Sequence, residues 1–442
     1  METLEKDLSS IFPMKFFHDK NIYSSITSKK TNGGGIMIDP ETWSSKGFFK
    51  NYRVFLEDYV PGRLPGRGDE AIELAKLLRY LLQGMPAPNI AIHGPSGSGK
   101  SVVVRYVLEK FKAQLEKNNA KVAVGYVSCK EKSTESQVLE KLIEELSGTK
   151  PKIRGSGIGK YYDLFKEAVR GTGGLAVVIL DEVTCIRNNA SMNNILYNFS
   201  RFDSRYGWLT VICTSNHPSF KKMLDESVSS SLSPILKYYP PYNTFQLEEI
   251  LKDRAKAGLE PDCLEDGVIQ LCAAISARER GNARTAINLL RTAVCLAEKA
   301  DDPKVREEHV IKAKSELDRD LVRDAVVGMT IHQKAILLAV AICEKYKKNP
   351  RSGDVYSTYK NICNNLGYES VTQRRALDLL KDLEIMELIY TRLLFLGRYG
   401  KTRFVKLGLQ NPQELINIIL EDSPFSELDI ARIEHEFNAH SS

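Results

Sequence analysis

Gly94-Pro95-Ser96-Gly97-Ser98-Gly99-Lys100-Ser101 matches the phosphate-cradling pattern G-x-x-x-x-G-K-[ST] at every fixed position. Its glycines permit a tight turn in which successive backbone N–H groups point inward at anionic oxygens. The helix that begins there adds its positive dipole end. Lys100 is placed to reach the terminal phosphates, and the Ser101 hydroxyl to take a Mg²⁺ coordination place. The flanks supply the required context. Asn89-Ile90-Ala91-Ile92-His93 reads as a short apolar strand entering the loop, and Ser101 to Leu108 as a helix leaving it.

A companion lies about eighty residues on. Leu175 to Leu180 is an unbroken apolar run, read as a buried strand, and it delivers Asp181-Glu182 at its C-terminal end. Asp181 would orient Mg²⁺ through water, and Glu182 would accept a proton from an attacking water. Asn216 closes the next apolar run, Trp208 to Thr214. Its residues alone allow either a turn-forming Asn in Ser-Asn-His-Pro or an amide that holds the water or the γ-phosphate. Arg284, in Gly281-Asn282-Ala283-Arg284 at a helix start, is read as a surface cation or as a γ-phosphate reporter.

The intervening segments alternate between strand and helix. Residues 121–128 form a buried strand, and Thr134-Glu135-Ser136-Gln137 is a capping box ahead of the apolar stripe Val138, Leu139, Leu142, Ile143 and Leu146. This alternation predicts an α/β domain with a mainly parallel sheet. From Tyr242 to about Leu317 the pattern is helical. After Val322 three helices and a possible hairpin at 388–407 have a winged-helix cadence. Ser370-Val371-Thr372-Gln373 is expected to cap the third of these helices as a capping box, with Gln373, Arg374 and Arg375 at its N-terminal end. The hairpin tip Gly397-Arg398-Tyr399-Gly400-Lys401 is basic. Across 371–406, eight basic residues face four acidic ones, an excess of four in a chain of net charge +6. Arg374 and Arg375 suit a major groove; Arg398, Lys401 and Arg403 suit phosphate or minor-groove contact.

Bulk properties set limits. The 442 residues suffice for two or three domains, and 43% hydrophobic content supports real cores. The longest apolar run, Ala335 to Cys343, is too short to span a bilayer. No secretory leader is evident, and none of the eight cysteines forms a C-x-x-C pair, so a reducing cytoplasm is expected. The expected division is a weakly ordered tail over 1–52, a P-loop base over 53–239, an all-α lid over 240–322, a winged helix over 323–415 and a helical tail over 416–442.

The order of P-loop, Asp181-Glu182, Thr214-Ser215-Asn216, Pro240-Pro241-Tyr242-Asn243 and Gly281-Asn282-Ala283-Arg284 resembles an AAA+ ATPase. Leu64-Pro65-Gly66-Arg67 and Thr372-Gln373-Arg374-Arg375 narrow the resemblance to the archaeal origin-recognition/initiator ATPases, over about residues 50–420. The resemblance implies that Asn216 is sensor 1 and Arg284 sensor 2, and that Ser98, Gly99, Lys100, Ser101, Val102, Tyr242 and Arg254 contact the nucleotide. It implies ATP or ADP with Mg²⁺, double-stranded origin DNA as partner, a replicative helicase or other initiator subunits as further partners, and a nucleoid-associated, cytoplasmic protein. One departure stands out. The family carries an Arg in Leu-Asp-x-Arg-Val-x-Ser-Ser-Leu, whereas Leu224 to Leu232 has Ser227 there. A finger arginine contributes about 10³–10⁵ in rate, so slow hydrolysis and a switch-like use of nucleotide are expected. A transcription regulator derived from an initiator, and a ring-forming loader ATPase, are the rival readings. The second needs the arginine that is missing.

Overall fold

The computed structural model describes residues 47–151, 157–347, 349–386, 388–395, 401–408 and 411–441. The chain divides into two compact units, Met1–Glu307 and Glu308–Ser442.

In the first unit, five parallel strands form one sheet in the order β2-β3-β4-β1-β5. They are β1 (Ile90–His93), β2 (Ala123–Ser128), β3 (Leu175–Asp181), β4 (Trp208–Ser215) and β5 (Ile235–Tyr238). All seven residues of β3 are buried, as its unbroken apolar run requires of a strand covered on both faces. The period of two sorts its side chains between two cores. Ala176, Val178 and Leu180 meet Leu139 and Leu142 of α3 (Glu135–Ser147), Phe165 of α4 (Ile158–Gly171) and Phe199 of α5 (Asn189–Ser200). Val177 and Ile179 meet Leu74 and Leu78 of α1 (Gly68–Leu82) and Val103 and Val107 of α2 (Lys100–Lys117) on the other face. The capping box at Thr134 forms as read. Two short helices, α6 (Phe220–Met223) and α7 (Glu226–Leu232), follow β4.

Strand β5 was not anticipated. It is a four-residue edge strand with only half-buried alternate positions, and it pairs with β1 along Ile90↔Ile235 to His93↔Tyr238. The unit closes with three helices, α8 (Thr244–Gly258), α9 (Val268–Arg278) and α10 (Ala283–Lys299). Of the expected tail over 1–52, residues 1–46 lie outside the described residues. Phe49 bridges Leu259, and the Lys50 and Asn51 N–H groups both donate to the Gly258 carbonyl, so this strand-like piece is stitched to the end of α8.

The second unit contains α11 (Glu307–Val327), most of which falls in it, then α12 (Ile331–Tyr346), α13 (Ser352–Leu366), α14 (Gln373–Ile385), the antiparallel hairpin β6 (Ile389–Phe395) and β7 (Lys401–Leu407), α15 (Pro412–Leu420) and α16 (Ile430–Ser441). Ala335 to Cys343 is buried throughout, making α12 the central helix around which α13, α14 and α15 pack. The cap of α14 is not Ser370 as expected. Thr372 is the N-cap, and its hydroxyl accepts from the Arg375 N–H, while the Val371 N–H and carbonyl are taken by the Tyr359 and Tyr356 hydroxyls instead of entering the helix. Among the described residues no helix is long and apolar enough to cross a membrane.

Candidate functional site

The ends of β1, β3 and β4 lie side by side, because their parallel register pairs His93 with Ser215 and Leu180 with Cys213. The loop after β1 therefore sits beside the acids after β3 and the polar residues after β4. Gly97 and Gly99 have φ of +72° and +90°, which only glycine adopts without strain. A Cβ on Gly97 would lie 1.7 Å from Asn282 Oδ1, and one on Gly99 would lie 2.2 Å from the Tyr242 hydroxyl. The glycines thus leave room for backbone N–H groups and let residues from the helical segment seat on the loop. The Ala283 N–H donates to the Gly97 carbonyl at 3.2 Å.

Lys100 is 4% exposed, and its ammonium donates to the carbonyls of Gly94 (2.8 Å) and Pro95 (2.7 Å) and to Ser98 Oγ (3.4 Å). Burial lowers its pKa to about 8; Asp181 and Glu182 oppose that shift, while Arg284 and Arg67 add to it. A buried ammonium ringed by carbonyls is matched to an incoming anion, which would restore its charged form.

Asp181 is also 4% exposed. One carboxylate oxygen accepts from Ser101 Oγ at 2.8 Å and Thr214 Oγ1 at 2.6 Å, the other from the Tyr126 hydroxyl at 2.5 Å. Glu182 follows in the left-handed region, φ 56°, a conformation that costs of order 1 kcal/mol outside glycine. Its N–H donates to Thr214 Oγ1, and its carboxylate accepts from Asn216 Nδ2 at 2.9 Å. The turn swings the Glu182 side chain away from the line of β3 and into the reach of β4. Sequence reading placed Lys100, Ser101, Asp181, Glu182 and Asn216 separately; the fold joins Ser101, Asp181, Glu182 and Asn216 through Thr214 into one hydrogen-bonded group and sets the Lys100 ammonium within reach of its charges.

Three expected residues lie outside this hydrogen-bonded group. Arg284 lies in the first turn of α10, half exposed, with Nε 3.3 Å from Glu57, and its charge reaches Lys100. Tyr242 is buried beneath the Arg67 guanidinium, 4.3 Å from the ring centroid. Arg254 donates to the Val54 carbonyl at 2.7 Å and lies 4.5 Å over the Tyr59 ring, so here it braces the N-terminal segment of the unit.

Arg67, Thr214 and Tyr126 were not singled out as site residues. Arg67 is 2% exposed; it donates to the Ser98 carbonyl at 3.0 Å, to the Pro240 carbonyl and to Glu70. Its only sequence signal was membership of the Leu64-Pro65-Gly66-Arg67 segment. All eight cysteines are free thiols; burial pushes Cys213, the one on β4 beside this group, up to about 12 and makes it a poor nucleophile.

In the second unit, Gln373, Arg374 and Arg375 are all exposed at the N-terminal turn of α14. Arg392 and Lys406 are exposed on the hairpin and Arg403 is half-buried, opposite Leu393. Arg398 lies outside the described residues, and of Lys401 only the backbone, paired with Phe395, is described.

Three family models match the chain: an AAA domain over residues 84–221, a Cdc6 AAA+ ATPase-type lid domain over 248–315 and a CDC6 C-terminal winged helix domain over 324–415. The chain is 37% identical over 366 residues to ORC1-type DNA replication protein 1 of Archaeoglobus fulgidus, covering 82% of this chain and 89% of that one. It is 34% identical over 384 residues to the ORC1-type DNA replication protein of Thermococcus onnurineus, covering 86% and 92%. The solved structure of the Aeropyrum pernix ORC1 protein in complex with DNA superposes with a TM-score of 0.72 at 32% identity, covering 88% of this chain and all of that one. The architecture is thus an AAA+ P-loop domain with a helical lid and a winged helix. Such a domain implies a bound nucleotide with Mg²⁺, and the glycine cradle, the buried Lys100 and the hydroxyl-lined Asp181 fit one.

Proposed function

We propose, because the chain belongs to the family of ORC1-type DNA replication proteins, that it is an initiator which binds ATP or ADP with Mg²⁺ and uses the nucleotide to set its grip on origin DNA. The observation that carries this is the hydrogen-bonded group of Ser101, Asp181, Glu182 and Asn216, joined through Thr214 and coupled by charge to the buried Lys100, in a chain that also presents an exposed Gln373-Arg374-Arg375 turn.

The backbone N–H groups of Ser96, Gly97, Ser98, Gly99, Lys100, Ser101 and Val102, in the loop that Gly94 and Pro95 open, would donate to phosphate oxygens at the start of α2. Lys100 exchanges its carbonyl partners for phosphate. Ser101 and Asp181 would hold Mg²⁺, which would supply positive charge to offset that of the phosphates. Glu182 is the base that takes the proton of the attacking water, and Asn216 holds its carboxylate in place until then. Arg284 reads the γ-phosphate from α10. Tyr242 and Arg254 contact the nucleotide from the same segment, Arg254 by leaving the Val54 carbonyl that it holds here. Ser227, exposed on α7, brings no charge to a neighbouring site, so hydrolysis is slow.

The winged helix enters DNA through Gln373, Arg374 and Arg375 at base edges, with Arg398, Lys401 and Arg403 on the backbone or minor groove. The working division is base 53–239, lid 240–322, winged helix 323–415 and tail 416–442. A replicative helicase or other initiator subunits are the expected further partners, at the nucleoid. The replication names of the relatives reported above favour this reading over a transcription regulator or a ring-forming loader. Footprinting on genomic DNA with ATP and with ADP tests it. One or a few protected loci that change with nucleotide are expected; protection at many promoters, or none at all, would overturn it.

A further inference from the structure

A carboxylate that orients a cation through water must itself be held, or it turns toward the nearest donor. Asp181 is nearly sealed from solvent, and Lys100, the ammonium of the group, donates to the loop carbonyls and Ser98 rather than to it. What it has instead are three hydroxyl groups. Two of them, from Ser101 and Thr214, share Oδ1. The third, from Tyr126, takes Oδ2 alone.

Tyr126 is in turn held. Arg105 Nε, on the second turn of α2, donates to the Tyr126 hydroxyl at 3.0 Å, and the guanidinium carbon lies 5.3 Å from the ring centroid. The phenol therefore accepts from a cation while donating to the carboxylate. Such a chain polarises the phenolic O–H and strengthens its donation. Arg105 neutralises Asp181 from a distance without occupying the face that Ser101 shares with it.

The two oxygens of Asp181 thus have different freedom. Ser101 must leave Oδ1 when its hydroxyl turns to a cation. Tyr126 has no such second duty, because its other partner, Arg105, belongs to the same wall. We propose that Tyr126, backed by Arg105, is a positioning residue that fixes Asp181 so that Oδ1 alone faces the divalent cation. This rests on the reading of Ser101 and Asp181 as the cation-holding pair.

The test separates the cation from the nucleotide. Binding of a fluorescent ATP analogue is measured on the full chain in EDTA and across a Mg²⁺ titration, for wild type, Tyr126→Phe and Arg105→Met. Thermal melting checks that each variant is folded. Partners that orient metal ligands are worth about 10–100-fold in metal affinity. Tyr126→Phe is expected to raise the Mg²⁺ half-point by about tenfold or more while leaving the EDTA affinity unchanged. Arg105→Met should shift the half-point in the same direction by less, and the double variant no further than Tyr126→Phe, because the two act in series. Equal weakening in EDTA and in Mg²⁺ would mean a merely structural role and overturn the proposal, as would an unchanged half-point. Should Tyr126→Phe fail to fold, Arg105→Met reads the same half-point. A wild-type protein whose nucleotide affinity ignores Mg²⁺ would overturn the underlying site reading as well.

Discussion

Replacing Arg67 with Met tests whether one buried guanidinium ties the phosphate loop to the rest of its unit. Met keeps the apolar stem and removes the fork. Two carbonyls, Ser98 and Pro240, lose their charged donor, and Glu70, a quarter exposed, loses its partner. A hydrogen bond from a charged group is worth about 1.5–3 kcal/mol net. Stacking on Tyr242 adds about 1 kcal/mol, and the Glu70 pair adds about 0.5. Against these stands the desolvation of the cation itself, which Met avoids; that offsets several kcal/mol. The net loss is therefore set at about 3 kcal/mol, the low end for breaking a buried charged pair. For a unit of this size, that corresponds to a fall in melting temperature of about 6–12 °C. Differential scanning calorimetry of wild type, Arg67→Met and Arg67→Lys measures it. Lys keeps the charge but cannot reach both carbonyls at once, so it should recover less than half. Because Ser98 is loop backbone, nucleotide affinity should also fall, by about tenfold for about 1.4 kcal/mol of the loss. A melting temperature for Arg67→Met within about 2 °C of wild type, against the 2–4 °C expected for each kcal/mol, would refute the reasoning.

The remaining predictions concern proton, rate and DNA. Burial holds the free protein's Lys100 near 8, and bound phosphate raises it, so nucleotide affinity should be flat below pH 8 and fall above it. In the free protein the sign reverses. Between pH 8 and 10.5 the unfolded chain binds the extra proton, so stability should rise with pH across that window. Calorimetric titration and melting curves across that range check both, and Lys100→Ala should abolish both slopes. With Ser227 in place of an arginine, ATP turnover by the pure protein should stay below about one per second, measured by phosphate release; Ser227→Arg should raise it if copies of the chain meet at the site. Arg374→Ala should weaken binding to origin DNA by about 1–3 kcal/mol and relax sequence preference, while Arg403→Ala should lower the salt slope by about one, read from binding curves at several salt concentrations.

Much of this molecule was readable along the chain. The apolar run at Leu175 to Leu180 could only be a strand buried on both faces, and the box at Thr134 could only open a helix. The stripe Ala376, Leu379, Leu380 and Leu383 placed α14 and hence the exposure of Gln373, Arg374 and Arg375. Strand β5 escaped because four residues at a sheet edge, with alternate positions left half open, give a pattern too short to distinguish from a loop. The cap of α14 was misplaced by two residues because Ser370 and Thr372 are both good caps, and only the tertiary bonds of the Val371 backbone to Tyr356 and Tyr359 choose between them.

The amino-acid order alone determined the cradle of glycines, the acids at a strand end and the basic turn, since each is a local pattern set by backbone geometry and period. It did not determine which polar tips meet. Arg67 reaches Ser98 and Pro240 across 31 and 173 positions, and Tyr126 reaches Asp181 across 55. Those meetings follow from the strand order and from how the following helices pack. A hydrogen bond requires approach to within about 3 Å, and only the folded sheet brings such distant segments that close.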